Sequence, residues 1–292
     1  MHDPTRAPAV TLTLVLVLTG CAAWTPGWET DPATDPTVED PPAFTHAEHM
    51  LHAADDAASL DRARSALQAR LAADASDGAT LLALADAEIL RGAAYSDTRG
   101  ARRDAFRSGI QYAERALMNN PVFRARIAAG AGVGEAADTL HEDDLTAMLL
   151  WVTGVFYYFD EGMFPLQRVI HFSRLQEARD VLERALELDR TYQHGLPAFS
   201  MGIYYIAIPG FAGRDFDRAE ALLAEAADAE GVSLLPRWGR ARYLHTARGD
   251  REAFRADLEW VLARDQADSR PHWNTFIRRD ASELLERIDE LF

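Results

Sequence analysis

The chain has 292 residues, 48% hydrophobic and 26% charged, enough to bury a core in one large domain or two small ones. A formal net charge of −16, with 30 arginines and no lysine, argues against nucleic acid, which needs a cationic surplus to displace counterions. It argues equally against a peripheral domain held to anionic lipid by charge. One cysteine, Cys21, excludes an internal disulfide and a Cys-based zinc site.

Residues 7–20 (APAVTLTLVLVLTG) form an apolar run too short to span a bilayer comfortably as a mature helix. It ends in Leu18-Thr19-Gly20-Cys21, which resembles the bacterial lipobox, so residues 1–20 read as a lipoprotein signal peptide and Cys21 as the lipidated new N-terminus. An ordinary signal peptide with a chance cysteine, or a membrane anchor, are the alternatives. Ala22 stands where an inner-membrane retention signal would show Asp, which favours the outer membrane. Residues 21–44, rich in Pro, Thr and Asp and without period, read as the lipidated cysteine and an extended tether.

Residues 45–292 read as one all-α domain of roughly ten to twelve helices, because apolar residues recur at three and four and no stretch alternates as a strand. Leu145, Met148, Leu149, Val152 and Phe156 form one stripe, preceded by acidic residues 141–144 (HEDD) suited to a helix N-terminus. Leu175, Ala178, Leu182, Ala185 and Leu186 form another, with Ser173 and Gln176 spaced as a capping box. Asn119-Asn120-Pro121 and Asp189-Arg190 read as stops; Gly210, Gly213, Gly231 and Gly249 punctuate later segments.

Small-residue helix ends recur at 113–121, 178–192, 219–229 and 254–265. Aligning Ala116, Ala185, Ala226 and Ala263 gives separations of 69, 41 and 37, the first close to twice the tetratricopeptide period of roughly 34 and the others stretched forms of it. A tetratricopeptide-like superhelix stacks such helix pairs and presents a concave face to a ligand or partner. An unrelated helical bundle with Ala-rich heptads is the alternative.

The stretch 178–229 (ARDVLERALELDRTYQHGLPAFSMGIYYIAIPGFAGRDFDRAEALLAEAADA) resembles the centre of the TatT family, tetratricopeptide-type lipoproteins associated with TRAP-type uptake transporters. Residues 145–158 (LTAMLLWVTGVFYY) are similar to its aromatic helix, and Tyr204-Tyr205 followed by Pro209 and Gly213 to its turn. Residues 239–265 and 274–285 resemble its C-terminal end. Leu188-Asp189-Arg190 departs from the usual Leu-Asp-Pro, and the Gly/Ala-rich 122–140 is less similar. The resemblance implies a TRAP transporter accessory that forms a homotrimer, docks a periplasmic solute-binding subunit and receives a small apolar or organic-acid ligand in a cleft. A tetratricopeptide scaffold that assembles envelope proteins without a small molecule is the other reading.

Trp151, Tyr157, Tyr158, Tyr204 and Tyr205 are the aromatic candidates for the cleft, because they pair large apolar faces with polar tips. Packing between repeats would explain each of them as well. Adjacent tyrosines point about 100° apart on a helix, so at most one of each pair faces a given cavity. Arg242, Arg278 and Arg279 are candidates for a ligand carboxylate, with neighbouring Asp or Glu as the competing partners. His46, His49 and His52 do not share one helical face, Gly130, Gly132 and Gly134 follow no strand, and Ser200 lacks the glycine of a nucleophile elbow. The sequence therefore predicts no catalytic set, no metal site and no cofactor.

Overall fold

The computed structural model describes residues 24–30, 42–164, 167–168, 171–229, 233–264 and 270–292. The apolar run and Cys21 lie outside the described residues. Helices α1 (Phe44–His52), α2 (Ala57–Ala73), α3 (Gly78–Tyr95) and α4 (Arg99–Leu117) open the domain. Their starts follow from the sequence: Asp56 accepts the Ser59 N–H at 2.7 Å and Ser59 Oγ accepts the Asp56 N–H at 3.1 Å. Asp77 and Thr98 cap α3 and α4 in the same sense. Asn120 stops α4 and caps the short α5 (Pro121–Ala128), with Pro121 pre-set in its first turn. The single-turn α6 (Val133–Ala136) follows.

The longer elements resume with α7 (Leu145–Tyr157), α8 (Phe172–Leu188), α9 (Tyr192–Ala207) and α10 (Phe216–Ala227). Residues 235–248 form α11, α12 is Arg251–Leu262, α13 is Pro271–Glu286, and Ile288–Leu291 is the terminal turn α14. Fourteen helices are thus described, and no strand occurs among the described residues. Two π-helical stretches interrupt the pattern, Tyr158–Gly162 at the end of α7 and Arg240–His245 within α11. Such bulges widen the helix locally and often mark functional walls.

Helices pair as α3/α4, α7/α8, α9/α10 and α11/α12, and each pair packs on the next. The four small-residue ends read from sequence close α4, α8, α10 and α12, the outer members. Ala185 and Ala226 are buried at these contacts as the spacing requires, but Ala263 is exposed; α12 turns Phe254, Leu258 and Val261 inward instead. The 69-residue gap between the first two ends reflects no additional full helix pair. It holds α5, α6 and two 3₁₀ turns before α7 begins. Ser173 also departs from expectation: α8 begins at Phe172, and no side chain caps it.

The array closes on itself. Helix α13 packs on α11 and α12 and also meets α1. From α13, Arg279 donates to the Ala94 carbonyl of α3 at 2.7 Å. The 3₁₀ turn Gly27–Glu29 lies on α4, within the region read as free tether. Gln111 donates to the Thr25 carbonyl at 2.8 Å, and Gly27 N–H donates to the buried Glu114 carboxylate at 2.6 Å.

Candidate ligand cleft

The inner helices enclose an apolar chamber of about 230 Å³. Thr153, Phe156 and Tyr157 of α7 form one wall, and Phe199 and Ile203 of α9 another. Trp238 and Tyr243 of α11 and Trp273 of α13 supply aromatic faces. The π-helical stretches bring Asp160 and Tyr243 to the lining. A second space of about 410 Å³ adjoins it between α1, α3 and α7. Asp86, Leu150, Thr153, Leu196 and Arg270 line both, so the two spaces adjoin along a shared wall and together make up the candidate cleft.

The polar centre of this cleft is Asp86, on the inward face of α3. Its Oδ1 accepts the Trp273 indole N–H at 2.6 Å, and its Oδ2 bonds to His272 Nε2 at 2.8 Å. Arg270 Nη1 stands 3.9 Å from Oδ1, an ionic contact beyond hydrogen-bond length. Burial opposes ionisation of Asp86, but His272, Arg270 and the Trp273 N–H outweigh it and hold the carboxyl at about 2. His272 in turn stacks on His52 at 5.2 Å, and burial together with that neighbour lowers the pKa of His52.

Arg270 borders both chambers and a third small recess beside Gln193 and His194. Asp86 already has two close donors, so the guanidinium keeps hydrogen-bonding capacity toward the cleft. Beside it the backbone is strained. Gln193, His194 and Gly195 carry φ values of 45°, 60° and 77°, left-handed geometry that only glycine adopts at low cost. This turn breaks the start of α9 and sets Leu196 and Phe199 into the chamber wall.

Of the residues singled out from sequence, Tyr157 lines the chamber; it stacks on Phe106 at 5.3 Å, and burial raises its pKa well above that of a free tyrosine. Trp151 is 0% exposed and points to the opposite side of α7, where its N–H donates to Glu114 at 3.2 Å. Tyr158 packs edge-on against Trp24 at 5.7 Å. Tyr204 and Tyr205 are buried against each other, and Arg218 covers the Tyr205 ring at 4.4 Å. None of these last four lines the chamber.

The three candidate arginines also have other work. Arg242 bonds to Asp280 at 2.6 Å and reaches Glu161 at 3.4 Å, beneath the chamber wall. There it supports Trp238, whose N–H donates to the same Asp280 at 2.7 Å. Burial pushes the neighbouring Tyr243 hydroxyl up to about 12. Arg278 donates to the Arg264 carbonyl at 2.6 Å, and Arg279 lies over Tyr95 at 5.1 Å while bonding to α3. Sequence reading missed Asp86, Arg270, Trp238, Tyr243 and Trp273. The available signal was a pair of carboxylates, Asp86 and Glu88, in the largely apolar run 81–90 (LLALADAEIL), where sheltered carboxylates demand donors.

The fold and cleft define a class: an all-α protein of stacked helix pairs enclosing a small-molecule-sized apolar space. The chain belongs to the TRAP transporter T-component family, whose model matches residues 79–292. No curated protein matches the chain. Family membership makes it an accessory component of a TRAP transporter, associated with the other subunits of that system in the cell envelope. No helix among the described residues is long and apolar enough to cross a membrane.

Proposed function

We propose that the cleft binds and relays a small organic acid, its apolar body in the aromatic chamber and its carboxylate on Arg270. The observation that carries this reading is Arg270 at the junction of the two spaces, 3.9 Å from an Asp86 already held by His272 and Trp273. A partly buried guanidinium with spare donors beside apolar walls suits an amphipathic anion. The protein acts without catalysis, anchored through Cys21 and favouring the outer membrane, and as a trimer it docks the solute-binding subunit that delivers or collects the ligand. Closure of the array by α13 against α1 and α3 favours a small molecule over the extended peptide a scaffold groove would take.

The test is a titration of the lipid-free domain with short- and medium-chain carboxylates and their matched alcohols, read by tryptophan fluorescence. Trp238 and Trp273 line the chamber and report its occupancy. Carboxylates should bind more tightly than the alcohols. Equal affinities would remove Arg270 from ligand recognition, and no binding of either would leave the scaffold reading.

A further inference from the structure

The segment Trp24–Thr30 is built into the body in a way that a free tether is not. Arg174 of α8 lies over the Trp24 ring at 4.4 Å, Arg107 of α4 at 5.9 Å, and Tyr158 meets its edge. Gly27 is buried, and a Cβ there would collide with the Gln111 carbonyl of α4. Its N–H is held by Glu114, which is 0% exposed and also takes Trp151 and Arg174. Such a set of contacts fixes the segment's position on α4, α7 and α8.

Trp24 is three residues beyond Cys21, and three extended residues reach about 10 Å. Had residues 22–44 been free, the body could have stood about 75 Å from an acyl chain on Cys21. The docked segment removes that freedom. Around it lie two exposed aromatics: Phe164, 57% exposed and next to Met163 in the Trp24 recess, and Phe211, 88% exposed on the turn Gly210–Ala212. Phe211 leans on Phe172 at 6.2 Å, in the same first turn of α8 that supplies Arg174. Exposed aromatics that neighbour the Trp24 recess through Met163 and Phe172, three residues from where a lipid would leave the chain, fit the apolar boundary of a bilayer.

We propose that residues 24–30 clamp the body directly against the membrane surface, with Phe211 and Phe164 dipping into the lipid headgroup boundary. The proposal rests on the lipid-anchored reading of Cys21 given above. It does not rest on charge. Most arginines of this face are paired: Arg102 with Glu161 at 3.1 Å, Arg103 with Asp104 at 3.6 Å and Arg168 with Asp160 at 3.7 Å, while Arg99 lies over the Phe164 ring at 4.6 Å and Arg107 over Trp24. Contact should therefore depend only weakly on the anionic lipid content. The clamp fixes which side of the cleft-bearing body faces the bilayer and leaves the opposite side to a soluble partner.

The experiment uses the full lipid-modified chain in phosphatidylcholine vesicles. Acylation blocks Cys21, so a polarity-sensitive fluorophore on Phe211→Cys or, as control, Arg287→Cys labels one site. Brominated lipid should quench the label at 211 several-fold more than that at 287, with or without anionic lipid. Adding Gly27→Val to Phe211→Cys should lower its quenching to the level at 287 while the protein still sediments with the vesicles. Equal quenching at the two sites, or quenching at 211 that Gly27→Val leaves unchanged, overturns the clamp while the lipid anchor stands. A label at 211 shielded equally in lipid-free Cys21→Ala protein assigns the face to a second copy and also overturns it. Failure to sediment at all removes the anchor and the clamp together.

Discussion

Two sheltered carboxylates, Asp86 partly exposed to the cleft and Glu114 fully buried, sit in similar company and behave in opposite ways. Each takes an indole N–H, from Trp273 at 2.6 Å and from Trp151 at 3.2 Å, and each has one arginine nearby, at 3.9 Å and 3.4 Å. The third donor differs. Asp86 has the imidazole of His272 and a side chain 13% exposed to the cleft, whereas Glu114 has the Gly27 amide and is 0% exposed. For Asp86 the donors outweigh burial and the carboxyl titrates at about 2; for Glu114 burial prevails over Arg174, Gly27 and Trp151 and raises it. Asp86 is thus a settled anion at the polar centre of the candidate cleft. Glu114 is a costly one, kept where it ties the N-terminal segment to the core.

The largest expected effect is at Asp86. Asp86→Ala leaves the Trp273 N–H, His272 and Arg270 facing an empty acceptor site, and equilibrium urea unfolding should show a loss of about 3–5 kcal/mol. A loss below about 1 kcal/mol would mean that water replaces the carboxylate freely and the site is not organised by it. Next comes acid titration. The folded pKa of Asp86 lies below its unfolded value, so its contribution is present above pH 3.8 and is lost as pH falls toward about 2. That contribution is about 2 kcal/mol, and Asp86→Asn should abolish this part of the pH dependence.

Glu114 carries the reverse sign and a smaller effect. Its folded pKa is raised, so its contribution is greatest below the ordinary carboxylate value and diminishes as pH rises through the folded one. Glu114→Gln keeps an acceptor for Gly27 and should stay within about 1 kcal/mol of wild type at neutral pH, without that slope. A severe loss would show that the Arg174 contact, at 3.4 Å, outweighs burial. The smallest change is Phe211→Ser, which should alter stability by less than about 0.5 kcal/mol in thermal unfolding, because the ring supports nothing in the core.

The outer helices were legible because small and apolar residues at three-and-four spacing leave a mark in sequence, and α4, α8, α10 and α12 end where that mark ends. Tyr157 reached the chamber for the same reason, as part of a strongly apolar helix. The polar centre was not legible. Asp86 and the pair His272-Trp273 are 186 and 187 residues apart, joined only when α13 closes on α3. Arginine roles were equally hidden, since every permanent side-chain cation is an arginine and only distance separates Arg242, bound to Asp280, from Arg270, which borders the cleft. At the N-terminus the Pro and Asp content masked the signal. Trp24, Gly27 and Trp28 within a supposed tether are residues that packing uses and a solvated linker does not need.

The most direct test is the affinity of the Arg270→Ala domain for the tightest-binding carboxylate, measured by calorimetry beside wild type and its matched alcohol. A charged hydrogen bond of about 1.5–3 kcal/mol predicts a loss of about 10- to 100-fold for the acid and little change for the alcohol. Unchanged affinity for the acid would contradict the role given to Arg270 and, with it, the cleft as an organic-acid site.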